Sequence, residues 1–372
     1  MSYEDTIRAI YGLQKFGIKL GLYNISRLLE ALGNPQDRLQ TVIIGGTNGK
    51  GSTARFVSTI LAESGMRAGL YTSPHLQRFT ERIQVNNAEI EQGKVVKLAG
   101  RINQALDRLN GTGEDVRIRI TFFEFVTAMA LLHFEETGVD LAVLEVGMGG
   151  RLDATNACPA VASVITNIGL DHEIHLGQGE LKIASEKAGI IKPDGRLVTA
   201  ERKEPILDVF TEACRERKAD MIRMDRDFFC VRDRDGSLRY RGLSREIGGL
   251  NPGLLGDHQS ENVGCALALL ELLQREGFQW NEDAIHRGVA SASWPGRLEF
   301  YPKDPPVILD GAHNPDAVGK LVGFLEGRLS DSGQRPVFVV GMMTEKDHRA
   351  CLSLLSRIGG RLILTRSSAI HR

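Results

Sequence analysis

The stretch from Val42 to Thr53, VIIGGTNGKGST, constrains the fold more than any other part of the chain. Thr41 to Ile44 is a short β-branched run of the kind that makes a buried strand, Gly45 to Gly51 carries four glycines, and Ser52 to Leu61 resumes at helical spacing. A strand, a glycine loop and a helix start form a phosphate cradle. Glycines let backbone N–H groups approach a polyphosphate, the helix N-terminus adds positive dipole, Lys50 supplies a point charge, and Ser52 or Thr53 can reach Mg²⁺. The general pattern GxxxxGK[ST] asks for glycine where Ile44 stands and a hydroxyl where Gly51 stands, so the loop is a variant. A glycine turn that binds nothing is the alternative, and Lys50 in this strand, loop and helix setting argues against it.

Other chemistry-bearing residues fall at strand ends. The strand Ala68 to Thr72 runs into Ser73-Pro74-His75, which puts Ser73 at the carboxyl edge where open α/β sheets bind ligands, although serine before proline is also ordinary turn chemistry. Asp140 to Val146 is an apolar strand interrupted only near its end, by Glu145, and an acid there downstream of a P-loop suits a carboxylate that holds Mg²⁺. A partly exposed acid at a strand end is the plainer reading. A strand from Ala160 to Asn167 leads to Asp171 and His172, at the same edge if the sheet is parallel. Glu186 and Lys187 lie in a short helix from Leu181 to Ile190, where a solvated charged face is the plain alternative.

The remaining segments continue the alternation. Residues 4–33 read as helix broken near Gly17 to Gly21, and residues 91–110 as another. Thr121 and Glu124 have capping-box spacing ahead of a helix to Glu136, so Glu124 is read as a cap. Strand 196–199 and helix 205–217 follow, and residues 221–241 suggest a small antiparallel addition at the sheet edge. Helices then span 259–273, with Asn262 in the first turn, and 280–290. Trp294-Pro295-Gly296-Arg297 breaks the pattern and sets a domain boundary, giving domains 1–295 and 296–372. Strands at 307–309, 337–340 and 362–365, separated by helices, make a second βαβαβ unit. The predicted class is α/β: a P-loop-containing, mostly parallel sheet with helices on both faces, then a smaller Rossmann-like α/β domain. That domain ends soon after a strand, and because a small parallel sheet needs helices on both faces it is expected to be C-terminally incomplete.

A net charge of −1 makes no electrostatic case for nucleic acid. Five scattered cysteines without a CxxC pair indicate neither a disulfide framework nor a zinc knuckle, and fit a reducing cytoplasm. No signal-peptide core or bilayer-length apolar run is found, so no membrane partner is expected.

FGIKLGLYNISRLLEALGNP at the start, GTNGKGS at 46–52, YTSPHL and ERI at 71–83, TFFEF at 121–125, LEVGMGGRLDATN at 144–156, TNIGLDH at 166–172, EKAGIIKP at 186–193, GDHQSEN at 256–262, PGRLE at 295–299 and LDGAHNP at 309–315 occur in order. Together they resemble the folylpolyglutamate synthase and dihydrofolate synthase branch of the Mur ligase superfamily, over nearly the whole chain. The glycine between Lys50 and Ser52 is that family's form of the loop. The resemblance implies a monomeric, cytoplasmic ATP-dependent ligase that joins L-glutamate to folate or dihydropteroate through an acyl phosphate. It implies catalytic roles for Lys50, Lys187 and His172. It assigns ATP to Thr47, Asn48, Gly49, Lys50, Gly51, Ser52, Asn262, Arg297, Asp310 and His313. It implies two Mg²⁺ sites, one at Ser52, Ser73 and Glu145 and one at His172 beside a carbamylated Lys187, with Phe123, Asp153, His258 and Gln259 on the substrate side.

Two other readings share the loop. A Mur-type ligase with a different carboxylate acceptor would have the same nucleotide parts, and SPHL, FFE and GDHQ favour folate over it. A nucleotide-binding switch needs only one Mg²⁺, whereas this chain devotes many polar strand ends to metals.

Overall fold

The computed structural model describes residues 1–17, 19–111, 117–329 and 335–366. The end of the sequence, at which the second domain was expected to break off, lies outside them. The strands are β1 (Thr41–Gly45), β2 (Ala68–Tyr71), β3 (Ile83–Val85), β4 (Ala88–Glu89), β5 (Leu141–Glu145), β6 (Ala162–Ile165), β7 (Arg196–Thr199), β8 (Asp220–Arg223), β9 (Phe229–Arg232), β10 (Leu238–Arg241), β11 (Glu246–Leu250), β12 (Glu299–Tyr301), β13 (Val307–Leu309), β14 (Val337–Val340) and β15 (Arg361–Leu364). The helices are α1 (Tyr3–Tyr11), α2 (Tyr23–Ala31), α3 (Lys50–Glu63), α4 (Gln92–Gly111), α5 (Phe122–Thr137), α6 (Glu173–Leu176), α7 (Glu180–Ala188), α8 (Glu204–Arg217), α9 (Gln259–Arg275), α10 (Glu282–Ser291), α11 (Pro315–Leu329) and α12 (His348–Ser356).

Eight strands form the main sheet in the order β4-β3-β2-β5-β1-β6-β7-β8, with the glycine-loop strand near its centre. Strands β2, β5, β1, β6, β7 and β8 are parallel, so the loops after them open at one edge. Every residue of β1 and β5 is buried, as a strand covered on both faces requires. Alternation sends Val42, Ile44 and Val143 into one apolar core with residues of α3 and α9, and Ile43, Ala142 and Leu144 into the other with residues of α5. The Glu124 carboxylate accepts from the N–H and the hydroxyl of Thr121, each at 2.8 Å, so Glu124 caps α5 as its spacing predicts.

Two expectations need correction, and one element lies outside them. The segment from 220 begins with a parallel strand of the main sheet, and the separate antiparallel sheet is β11-β10-β9, extending to Leu250. The β3–β4 hairpin was not foreseen. Its turn is Asn86-Asn87, with φ of 50° and 65°, which supplies the left-handed pair that such a hairpin needs without the usual glycine. In the C-terminal part, β13 pairs antiparallel with β12, while β14 and β15 form a separate parallel pair. Glu299–Tyr301 carries two adjacent aromatics just after the linker and gives β13 a nearer partner than β14. Helices α11 and α12 cover one face of the β14–β15 pair through Val318, Val322, Cys351 and Leu355, whereas Val337 and Val339 are 61% and 69% exposed.

Candidate active site

Of the site residues predicted from sequence, all but Phe123, Asp153 and Gln259 line a single cavity of about 190 Å³ at the carboxyl edge of the main sheet. The glycine loop forms its floor. Gly49 caps α3 with φ of 84°, and a Cβ there would stand 2.3 Å from Asn262 Oδ1, so the left-handed turn and the close approach of α9 both demand glycine. A Cβ on Gly51 would lie 3.0 Å from Trp294 Nε1 and 3.5 Å from both carboxylate oxygens of Glu145. The glycine where a general P-loop has a hydroxyl therefore makes room for an indole and an acid. The β6 end braces the loop from the side: Thr47 N donates to Asn167 O at 2.8 Å, Asn48 N to Asn167 Oδ1 at 3.0 Å, and the Thr166 hydroxyl to Asn48 O at 2.6 Å.

Lys50 folds back over its own loop, donating to Gly46 O at 3.1 Å and Thr47 O at 2.9 Å. Burial holds its ammonium below the usual lysine range. Lys187, from α7, donates to the same Gly46 oxygen at 2.8 Å. It is buried, and burial followed by the neighbouring Lys50 charge lowers its pKa to about 7. Its sequence neighbour Glu186 faces the other way and binds Arg151 at 2.8 Å, so the two do not form the surface pair that sequence left open.

Glu145 is buried, and its Oε2 accepts from Ser73 N at 3.0 Å, which joins the ends of β2 and β5. Burial raises its pKa against the pull of Lys50. His172 caps α6 in a left-handed conformation, φ 53°, and burial lowers its pKa to about 4, which keeps the imidazole neutral. No group of three or more His, Cys, Asp or Glu side chains that could hold a metal occurs among the described residues. Mg²⁺ does not require one: it keeps several waters and takes one or two carboxylates together with substrate phosphates. The buried carboxylate of Glu145, in a cavity that Ser52 and Ser73 also line, fits that habit. An ammonium at Lys187 does not fit a cation at His172, whereas a carbamate there does.

The second domain completes the cavity with Arg297, Asp310 and His313. Asp310 also orders its own turn, accepting from Leu298 N and Ala312 N, each at 2.8 Å. Asn48 Nδ2 donates to Asn314 Oδ1 at 3.3 Å and to Asp316 Oδ2 at 2.7 Å across the domains. The residue that sequence reasoning missed is Lys346, whose ammonium meets Asp171 Oδ1 at 2.6 Å. Lys346 follows the carboxyl end of β14, the rule that singled out Ser73, but it lies in a charged loop with no other distinguishing pattern. Burial alone would raise the Asp171 pKa, yet hydrogen bonds with His313 and Lys346 hold it well below the usual carboxylate range.

Phe123, Asp153 and Gln259 stand behind the cavity wall. The Phe123 ring lies under Gly147, 2.5 Å from where a Cβ would be, and tilts against Tyr71. Asp153 is buried and accepts from Met148 N at 2.9 Å and the Thr155 hydroxyl at 2.6 Å. Gln259 Oε1 accepts from Asn262 Nδ2 at 2.8 Å.

The Mur ligase middle domain family matches residues 44–270, and the Mur ligase glutamate ligase domain family matches residues 296–371. A probable bifunctional folylpolyglutamate synthase/dihydropteroate synthase of Haloferax volcanii is 36% identical, over 96% of this chain and 42% of its own length. The folylpolyglutamate synthase of Lacticaseibacillus casei is 34% identical, over 96% of this chain and 83% of its own. Crystal structures of the Mycobacterium tuberculosis folylpolyglutamate synthase complexed with ADP and AMPPCP superpose with a TM-score of 0.89 at 32% identity, over 100% of this chain and 84% of that one.

Proposed function

The chain belongs to the Mur ligase family, in its folylpolyglutamate synthase and dihydrofolate synthase branch, and we propose that it joins L-glutamate to a folate or dihydropteroate carboxylate at the expense of ATP. The observation that carries this reading is the convergence on one cavity of the glycine loop, Lys50, Glu145 and Lys187 from the first domain with Arg297, Asp310 and His313 from the second. The folate names of its relatives favour that acceptor over other Mur-type carboxylates and over a switch.

In this reading the loop amides and Lys50 bind the triphosphate of ATP, and Arg297, Asp310, His313 and Asn262 hold the rest of the nucleotide. Glu145, with Ser52 and Ser73, would hold one Mg²⁺ and His172 with a carbamylated Lys187 a second, which supply positive charge against the phosphoryl group in flight. A carboxylate oxygen of the acceptor attacks the γ-phosphorus and ADP leaves, giving an acyl phosphate. The glutamate amine then attacks the acyl carbon, phosphate departs, and the nitrogen loses a proton to leave an amide. The second domain, packed over the cavity, keeps water from the acyl phosphate and holds the amine close to it.

The test is isotope transfer. With ¹⁸O in the acceptor carboxylate, one label is expected in the phosphate released during ligation. Phosphate free of label would reject the acyl phosphate route.

A further inference from the structure

Arg55 lies in the second turn of α3, just beyond Lys50 and Ser52, and is 6% exposed. No carboxylate is paired with it among the described residues, and burial alone lowers its pKa, to about 10. Its Nη1 donates to Asn87 Oδ1 at 2.6 Å and its Nη2 to Gln84 Oε1 at 2.8 Å, which ties α3 to the β3–β4 hairpin. Its Nε finds no hydrogen-bond partner. The guanidinium carbon instead sits 4.5 Å from the centre of the Trp294 ring. A neutral amide side chain could serve the hairpin at lower desolvation cost. What arginine adds is a flat cation for an indole.

Trp294 belongs to the connection between the domains, and its Nε1 comes within 3.0 Å of the point where a Cβ on Gly51 would stand. The same indole thus touches the nucleotide loop and the buried arginine behind it. Two residues further on, Gly296 takes φ of 68° beneath Leu76. Leu298 has φ of 45°, in the left-handed region that a leucine rarely adopts, and its N–H is held by Asp310 at 2.8 Å. The connection is therefore fastened on one side by Arg55 and on the other by Asp310. Arg297, which lines the cavity, lies between the two fastenings.

We infer that the Arg55–Trp294 stack is a pin that fixes the domain connection to the P-loop helix and thereby sets Arg297 against the nucleotide, making Arg55 and Trp294 positioning residues. The inference rests on the ATP-ligase reading, and one experiment separates the two. The sequence has two tryptophans, and Trp280→Phe leaves Trp294 as the only indole. Titrating that protein with AMPPCP and Mg²⁺ should change Trp294 emission along the same curve that calorimetry gives for binding. Arg55→Gln should abolish the emission change and weaken AMPPCP about tenfold or more, because a small misplacement of a charged clamp is costly. Its melting temperature should fall by less than about 5 °C. Trp294→Phe, which keeps a π face, should bind AMPPCP nearly as the parent does, and Arg55→Lys, which has no plane, should bind as weakly as Arg55→Gln. Trp294 emission that ignores a ligand calorimetry shows to be bound, or an Arg55→Gln protein that melts lower but binds as the parent does, overturns the pin. Where Arg55→Gln fails to fold, the emission of the Trp280→Phe protein decides. A parent that binds no AMPPCP by calorimetry rejects the ATP-ligase reading itself.

Discussion

Lys187 and Lys50 donate to one acceptor, the Gly46 carbonyl oxygen, at 2.8 Å and 3.1 Å. A buried and a half-buried amine converging on one oxygen within a glycine loop cannot both carry their charges at low cost, and burial lowers the pKa of each, that of Lys187 to about 7. A neutral amine is the form that reacts with CO₂, and the carbamate that results turns a cation into an anion with oxygen donors suited to a hard metal.

Activity should therefore fall in CO₂-depleted buffer and return with bicarbonate, more completely at pH 8 than at pH 6. Lys187→Ala should be inactive and partly rescued by a small carboxylic acid that occupies the vacated space. Full activity of that variant without added acid would contradict the carbamate.

Unmodified Lys187 also makes a stability prediction. Its folded pKa, about 7, lies below the unfolded value of 10.5, so between those limits the unfolded chain holds a proton that the folded one lacks. Unfolding free energy in CO₂-free buffer should rise with pH across that window, and the penalty should be fully present below about 7. Lys187→Met should flatten this part of the curve in denaturant titrations at several pH values. A parent and variant with parallel curves would show that the amine is not depressed.

Lys50→Ala should abolish ligation, a loss of about a thousandfold or more for a phosphate-facing charge, while circular dichroism stays unchanged. The side chain contacts only loop carbonyl oxygens among its hydrogen-bond partners, so little packing is lost. Near-normal turnover with an intact fold would remove the lysine from the mechanism.

Glu145→Gln should mainly raise the Mg²⁺ requirement, since the amide keeps the shape and can still accept from Ser73 N but carries no charge. A Mg²⁺ titration superimposable on that of the parent would count against a ligand role.

Much of this site was legible because its residues sit at the carboxyl ends of strands whose apolar runs are obvious. Glu145 stood out as an acid in DLAVLEV, and the Glu145–Ser73 bond then follows from the parallel register of β2 and β5. Sequence could not decide which way Glu186 and Lys187 face, because a nine-residue helix with one residue's rotation separates a surface pair from a buried amine. Lys346 and Arg55 escaped for different reasons. The first depends on how a second domain packs over the first, and the second reads as one more polar position in a helix whose neighbours are all apolar or small.

The Asp171–Lys346 contact joins the domains with both side chains largely buried, 12% and 9% exposed. Lys346→Met should weaken that junction by about 1–3 kcal/mol, less than a fully enclosed pair because the cavity opens to solvent. Calorimetry should then show the second domain melting earlier than the first. A single transition at the parental temperature would mean that the other interdomain contacts suffice.

The most direct test of the ligase assignment is incorporation of radiolabelled L-glutamate, run separately with folate, tetrahydrofolate and dihydropteroate. Label is expected in at least one pterin acceptor only when ATP and Mg²⁺ are both present, with one ATP consumed per glutamate added. Slow ATP turnover that glutamate and every pterin leave unchanged, with no label in any acceptor, would contradict it.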